Sequence, residues 1–141
     1  MKPIYMLDTN VISEFVKPNP NVSIMKNALE KQHLCAICAT VWQESILGYE
    51  RMPDGKRKQK IRNYLDKIRS TYEIIPYDSF ASQIYGEIRA RCLQAGCTAP
   101  VEDSQIAATA IANNMILITH NTADFQALQE NSMLKLEDWW G

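Results

Sequence analysis

The sequence predicts an α/β fold built on a mostly parallel central sheet flanked by helices. Three observations predict it. Short apolar runs too brief for helices alternate with longer segments of helical periodicity, the pattern of strand–helix–strand units. The runs are nearly continuous in apolar residues, as strands covered on both faces are. Polar and acidic motifs fall where such runs end: Asp8-Thr9-Asn10 after the first, Thr119-His120-Asn121-Thr122-Ala123-Asp124 after Met115–Ile118.

The elements follow in order. Pro3–Leu7 is a short buried strand ending at Asp8. Thr9-Asn10 offers an N-cap, with Val11, Ile12, Phe15 and Val16 at helical spacing behind it. Pro18-Asn19-Pro20-Asn21 breaks that helix. A second helix is expected over Val22–Lys31, with Ile24, Met25, Ala28 and Leu29 on its apolar side. His33–Ala39 is the second strand, and Thr40-Val41-Trp42-Gln43 reads as a capping box opening a helix over Val41–Arg51. After the turn Met52-Pro53-Asp54-Gly55, a fourth helix places Ile61, Tyr64, Leu65, Ile68 and Tyr72 on one face. Glu73–Pro76 is a strand whose proline suits a sheet edge. Asp78 or Ser79 caps a long helix carrying Phe80, Ile84, Ile88 and Cys92 and stopping near Gly96. Pro100 begins the next helix, through Ile106, Ala107, Ala110 and Ile111 to Asn113 or Asn114. Met115–Thr119 is a strand, Asp124–Leu128 a short helix, and Met133–Leu136 a final edge strand before Trp139-Trp140. The sheet thus has four strands and a fifth at its end. With 141 residues and no repeat, low-complexity tract or linker, residues 1–141 read as one domain.

Composition narrows the class. At 46% hydrophobic and 22% charged, the chain has the make-up of an ordinary globular protein. No apolar run approaches the ~20 residues of a membrane helix, and a charge at Asp8 comes too early for a secretory leader, so a cytoplasmic location is the expectation. Cys35-x-x-Cys38 does not suit zinc or redox chemistry. It lies within a strand-like run, where residues three apart point to opposite faces. Net charge is −1, but its distribution is uneven. Arg51–Arg69 holds eight Lys/Arg against Asp54 and Asp66, whereas Ala99 onward holds six acids against Lys135. A basic surface beside an acidic pocket suits RNA; a plain solvated helix face is the other reading.

Asp8, Glu44, Asp103 and Asp124 each stand where a strand hands over to a helix or loop. Acids so placed converge at one end of an open α/β sheet. Taken singly, Asp8 is an N-cap and Glu44 and Asp103 are favourable charges in a first helical turn. Jointly they form an all-oxygen site for Mg²⁺ or Mn²⁺, hence a metal-dependent phosphodiesterase. The small-residue run Ile106-Ala107-Ala108-Thr109-Ala110 lets a helix press closely on its neighbour beneath Asp103.

The ordered motifs resemble the PIN-domain ribonucleases of the VapC type, the toxin half of a type II toxin–antitoxin pair. Tyr5–Glu14, Val41–Glu50, Ile88-Arg89-Ala90 with Gly96 and Asp103–Ala110, and Leu117–Phe125 match that family's motifs nearly end to end. The resemblance implies a PIN-like three-layer fold and metal-dependent hydrolysis of RNA. It makes Asp8, Glu44 and Asp103 the metal-binding acids. Some members carry an Asp where this chain has Asn121, and others rely on the acid at Asp124. Thr9, Asn10, Thr119 and Asn121 would orient those acids and their waters. Lys56, Arg57, Lys58, Lys60, Arg62 and Arg89 are the RNA-contact candidates. The resemblance also implies a cognate VapB-like antitoxin, a homodimer, and a transfer or ribosomal RNA target. The alternative is a PIN module without strong catalysis that binds RNA or protein. An aspartate-based phosphatase would want a second Asp where Asn10 stands, a phospho-receiver would want a Lys after the Leu117–Thr119 strand, and a structure-specific DNA nuclease would need more elements than this chain holds.

Overall fold

The computed structural model describes residues 2–141. Five strands form one parallel sheet: β1 (Tyr5–Leu7), β2 (Cys35–Cys38), β3 (Glu73–Ile75), β4 (Ile116–Ile118) and β5 (Lys135–Glu137). Their spatial order is β3-β2-β1-β4-β5. From β1 the chain builds outward through β2 to β3, then returns to the other side of β1 for β4 and β5. The strand order therefore reverses between β1 and β4, where open α/β sheets form their sites. Leu7 is level with Ile118, so the residues that follow, Asp8 and Thr119, emerge side by side.

Among the described residues, seven helices cover the sheet: α1 (Thr9–Ile12), α2 (Val22–Glu30), α3 (Ala39–Glu50), α4 (Lys56–Thr71), α5 (Ser79–Gln94), α6 (Val101–Ala112) and α7 (Gln126–Glu130). Met6, Leu7, Ala36, Ile37, Leu117 and Ile118 are fully buried, as the continuous apolar runs require. α6 lies deepest. Ser104, Ile106, Ala107, Ala108, Thr109 and Ala110 are all buried, so the small-residue run brings α6 close to its neighbours. β3 and β5 are the edges, and Glu73, Lys135 and Glu137 keep those edges polar and exposed.

Helix ends match their chemistry. Asn21 and Asp78 cap α2 and α5 by accepting from Ile24 N and Ala81 N. Gly96, at φ +76°, ends α5 with Cys97 N bonding Cys92 O at 3.0 Å; Asn114, at φ 53°, ends α6 with Met115 N bonding Ala110 O at 2.9 Å. Both are αL closures that favour Gly or Asn.

Four expectations need correction. Helix α3 starts at Ala39, so Thr40 lies inside it and no capping box forms; Cys38 is the cap residue. Glu44 consequently sits beyond the first turn. Asp8 itself caps α1, in place of Thr9 or Asn10. Phe15 and Val16 lie not on α1 but in a 3₁₀ turn, Ser13–Val16. Met25 and Leu29 do not enter the core: α2 buries Ile24 and Ala28, and Leu29 is 76% exposed. The α4 face is as expected, with Leu65, Ile68 and Tyr72 buried and Tyr64 and Ile61 half-buried. Cys35 and Cys38 form β2, and burial pushes both thiols up to about 12, as expected for core cysteines. Among the described residues no helix is long and apolar enough to cross a membrane.

Candidate active site

Asp8 is the hub of the site. It ends the central strand and is 6% exposed. One carboxylate oxygen, Oδ1, accepts from Thr9 N at 2.8 Å and thereby caps α1. The other, Oδ2, accepts from Thr119 Oγ1 at 2.9 Å and from Asn10 Nδ2 at 3.3 Å. A carboxylate has about four lone-pair sites, so these bonds orient Asp8 and leave it able to hold a ligand. Burial raises its proton affinity, the three hydrogen bonds oppose that rise, and Asp124 adds to it.

The other acids arrive from separate elements. Glu44, on α3, accepts from Thr9 Oγ1 at 2.8 Å, so Thr9 ties it to Asp8 through one residue. Burial raises the Glu44 carboxyl, the Thr9 bond lowers it, and Asp8 and Glu102 raise it further. Asp103 lies in the first turn of α6. Its carboxyl is pushed up to about 6, chiefly by burial and then by the charges of Asp8, Asp124, Glu44 and Glu102. Among the described residues its side chain has no hydrogen-bond or ion-pair partner. Asp124 is exposed in the loop after β4, near enough for its charge to raise both Asp8 and Asp103. Glu102 is an exposed acid whose charge reaches Glu44 and Asp103.

The small polar residues complete a network. Thr119 is fully buried and also accepts from Asn121 N at 3.0 Å. Asn10 donates to Thr119 Oγ1 at 3.1 Å and accepts from His120 N at 3.1 Å. Asn121 takes part through its backbone, while its side chain is exposed. The link through Asn10 was invisible in sequence, because 110 positions separate it from His120.

The donor chemistry fits a hard divalent cation. Four carboxylates influence one another, and among the described residues no Lys or Arg forms an ion pair with any of them; the ion pairs present involve Glu14, Asp54, Asp66 and Asp138. Acids that share a site without a positive side chain raise one another's pKa, and a cation relieves this. No three of the described carboxylates yet ring a single point closely enough to be a ligand sphere.

Among the described residues, none of the expected RNA-contact side chains forms an ion pair with the four acids. Lys56, Arg57, Lys60 and Arg62 are exposed on α4, and Lys58 is half-buried. Lys58 and Arg62 flank the Tyr49 ring at 5.1 and 5.9 Å and make local pairs with Asp54 and Asp66. Helix α4 is anchored to the site's own helix by Tyr64 OH donating to Ile12 O at 2.8 Å. Arg89 is engaged elsewhere, donating to the Ala99 carbonyl and holding the loop before α6.

A separate cavity of about 520 Å³ opens between the Ser13–Val16 turn, α2 and α4. Phe15, Met25, Leu29 and Tyr72 line it, with Lys17, Lys60 and Lys67 also on its walls.

Comparison with known proteins agrees with this architecture. The PIN domain family model matches residues 5–131. Ribonuclease VapC2 of Rickettsia felis is 33% identical over 138 residues, covering 96% of this chain and 98% of that protein. The tRNA(fMet)-specific endonuclease VapC of Shigella flexneri is 27% identical, covering 96% and 97%. The crystal structure of VapBC2 from Rickettsia felis, bound to a DNA fragment from its promoter, superposes with a TM-score of 0.82 at 30% identity, covering 96% of this chain and 98% of that one. The chain belongs to the PIN-domain family and stands among its VapC ribonucleases.

Proposed function

We propose that the chain, as one domain over residues 1–141, is the ribonuclease toxin of a toxin–antitoxin pair and hydrolyses RNA phosphodiester bonds with a bound divalent cation. The observation that carries the reading is the group of Asp8, Glu44, Asp103 and Asp124 at the strand-order reversal, whose charges reach Asp103 together and which form no ion pair among the described residues. Asp8, Asp103 and Glu44 would hold Mg²⁺ or Mn²⁺, oxygen donors being the ligands such ions prefer. The cation, when bound, supplies an acidified water and offsets charge developing on the phosphate. Thr119 and Asn10 fix the rotation of Asp8, and Thr9 holds Glu44 in register with it. Asp124 sits at the open rim, placed to orient water or the strand. Lys56, Arg57, Lys58, Lys60 and Arg62 offer phosphate contacts along α4; Arg89 is better suited to bracing the loop that positions α6.

A structured RNA such as a transfer RNA is the substrate class favoured by the name of the Shigella flexneri relative. The partner is a VapB-like antitoxin, in keeping with the VapBC2 complex among the similar structures, and the chain pairs with a second copy of itself. An amphipathic segment with acidic residues fits the 520 Å³ cavity, whose apolar floor and lysines it would complement.

Purified protein free of its partner should cut total cellular RNA into discrete fragments with Mg²⁺ or Mn²⁺ but not with EDTA, and Asp8→Asn should not cut. Absence of cleavage by folded, partner-free protein overturns the reading and favours a binding module.

A further inference from the structure

Beside the acids, residues outside the proposed metal set form an ordered aromatic pair. The rings of His120 and Trp140 stack with centroids 4.2 Å apart and an interplanar angle of 22°. Asp138 fixes both: Oδ2 lies 3.1 Å from His120 Nδ1, and Oδ1 accepts from Trp140 N at 2.9 Å. Adjacent Trp139 points the other way, is 4% exposed, and packs edge-on to Tyr5 at 5.3 Å. Trp139 therefore anchors the segment in the core and leaves Trp140 at the surface. The His120 side chain is 50% exposed, although its neighbour Thr119 is buried.

The pair is coupled to the site by its backbone. His120 N donates to Asn10 Oδ1, and Asn10 Nδ2 donates to Asp8 Oδ2. The platform therefore lies one carboxamide away from the central acid. Exposed aromatic planes bind unpaired bases by stacking, and the nucleotides a nuclease cuts in a loop are the unpaired ones. Apolar burial alone accounts for Trp139 but not for a half-exposed stack tied by hydrogen bonds to a carboxylate.

We infer that the His120–Trp140 stack is a nucleobase platform that holds one unpaired base of the RNA beside the carboxylates. This inference rests on the ribonuclease reading and adds how the strand is gripped.

The test is binding, not cleavage. Asp8→Asn protein, made free of partner, is titrated with fluorescently labelled nine-nucleotide oligoadenylate and with the same strand carrying one abasic nucleotide at successive positions. Trp140→Ala and His120→Ala should each weaken binding of the full strand about 5- to 100-fold. Trp140→Phe, which keeps a stacking ring, should stay within about threefold of the parent. At one position the abasic strand should bind the parent as weakly as the full strand binds Trp140→Ala, with no further loss in that variant. Unchanged affinity in both alanine variants overturns the platform while leaving the ribonuclease reading intact. Equal weakening for full and abasic strands at every position also overturns it, by assigning the pair a structural role. No binding of the full strand by the folded parent overturns the platform, while cleavage of total RNA by protein with Asp8 intact decides the ribonuclease reading separately.

Discussion

Asp103→Asn should stabilise the cation-free protein, and the size of the gain follows from the site's geometry. The Asp103 carboxyl is pushed from 3.8 to about 6 by burial and by Asp8, Asp124, Glu44 and Glu102, with no hydrogen bond to offset them. Because its proton affinity is higher folded than unfolded, the unfolded chain ionises first as pH rises. Stability therefore falls between pH ~4 and ~6 and stays lower above that window. At ~1.4 kcal/mol per pH unit the full penalty is ~3 kcal/mol. The group is only half-buried, so water screens about half of it and leaves ~1.5 kcal/mol. For a chain of this size that is about 5 °C in melting temperature. The assay is thermal unfolding in EDTA at pH 7.5 and pH 4, followed by circular dichroism. Asp103→Asn should melt about 5 °C higher than the parent at pH 7.5 and level with it at pH 4. A variant that melts lower at pH 7.5, or gains equally at both pH values, refutes the repulsion argument.

Other outcomes follow from the same contacts. Asp8→Asn should abolish RNA cleavage while the fold persists, since Asn is the same shape and its one oxygen can still accept from Thr9 N to cap α1; gel analysis of total RNA checks it, and full activity would contradict it. Thr9→Val removes the hydroxyl that holds Glu44 and should cost roughly 10- to 100-fold in cleavage rate with little change in stability. Leu29→Glu places an acid in the α2–α4 cavity at a 76% exposed position, so it should weaken antitoxin binding at least tenfold in calorimetry while cleavage by free protein is retained.

Much of this was legible in the amino-acid order because local chemistry and the fold agree. Tyr5–Leu7, Cys35–Cys38 and Ile116–Ile118 are apolar on both faces, and the structure makes them the central strands. Pro76 follows the edge strand Glu73–Ile75, and Gly96 and Asn114 take the αL conformations their types permit. Misreadings arose where one residue serves two purposes. Asp8 caps α1 with one oxygen and faces the site with the other, so capping and function were not alternatives. Thr40 has the composition of a cap, but α3 begins earlier because Ala39 continues directly from the buried strand. Met25 and Leu29 have core-like composition at helical spacing, yet they line a surface cavity; periodicity reports an apolar face, not what covers it. The Asn10–His120 and Thr9–Glu44 bonds join residues whose proximity depends on the closed sheet, and no local signal foretells them.

The central claim is that these carboxylates form a cation site, and calorimetric titration of Mn²⁺ into protein stripped with EDTA tests it most directly. The parent should bind with a measurable heat, and Asp8→Asn and Asp103→Asn should each bind at least tenfold more weakly. Equal Mn²⁺ affinity in the parent and both variants would contradict the account.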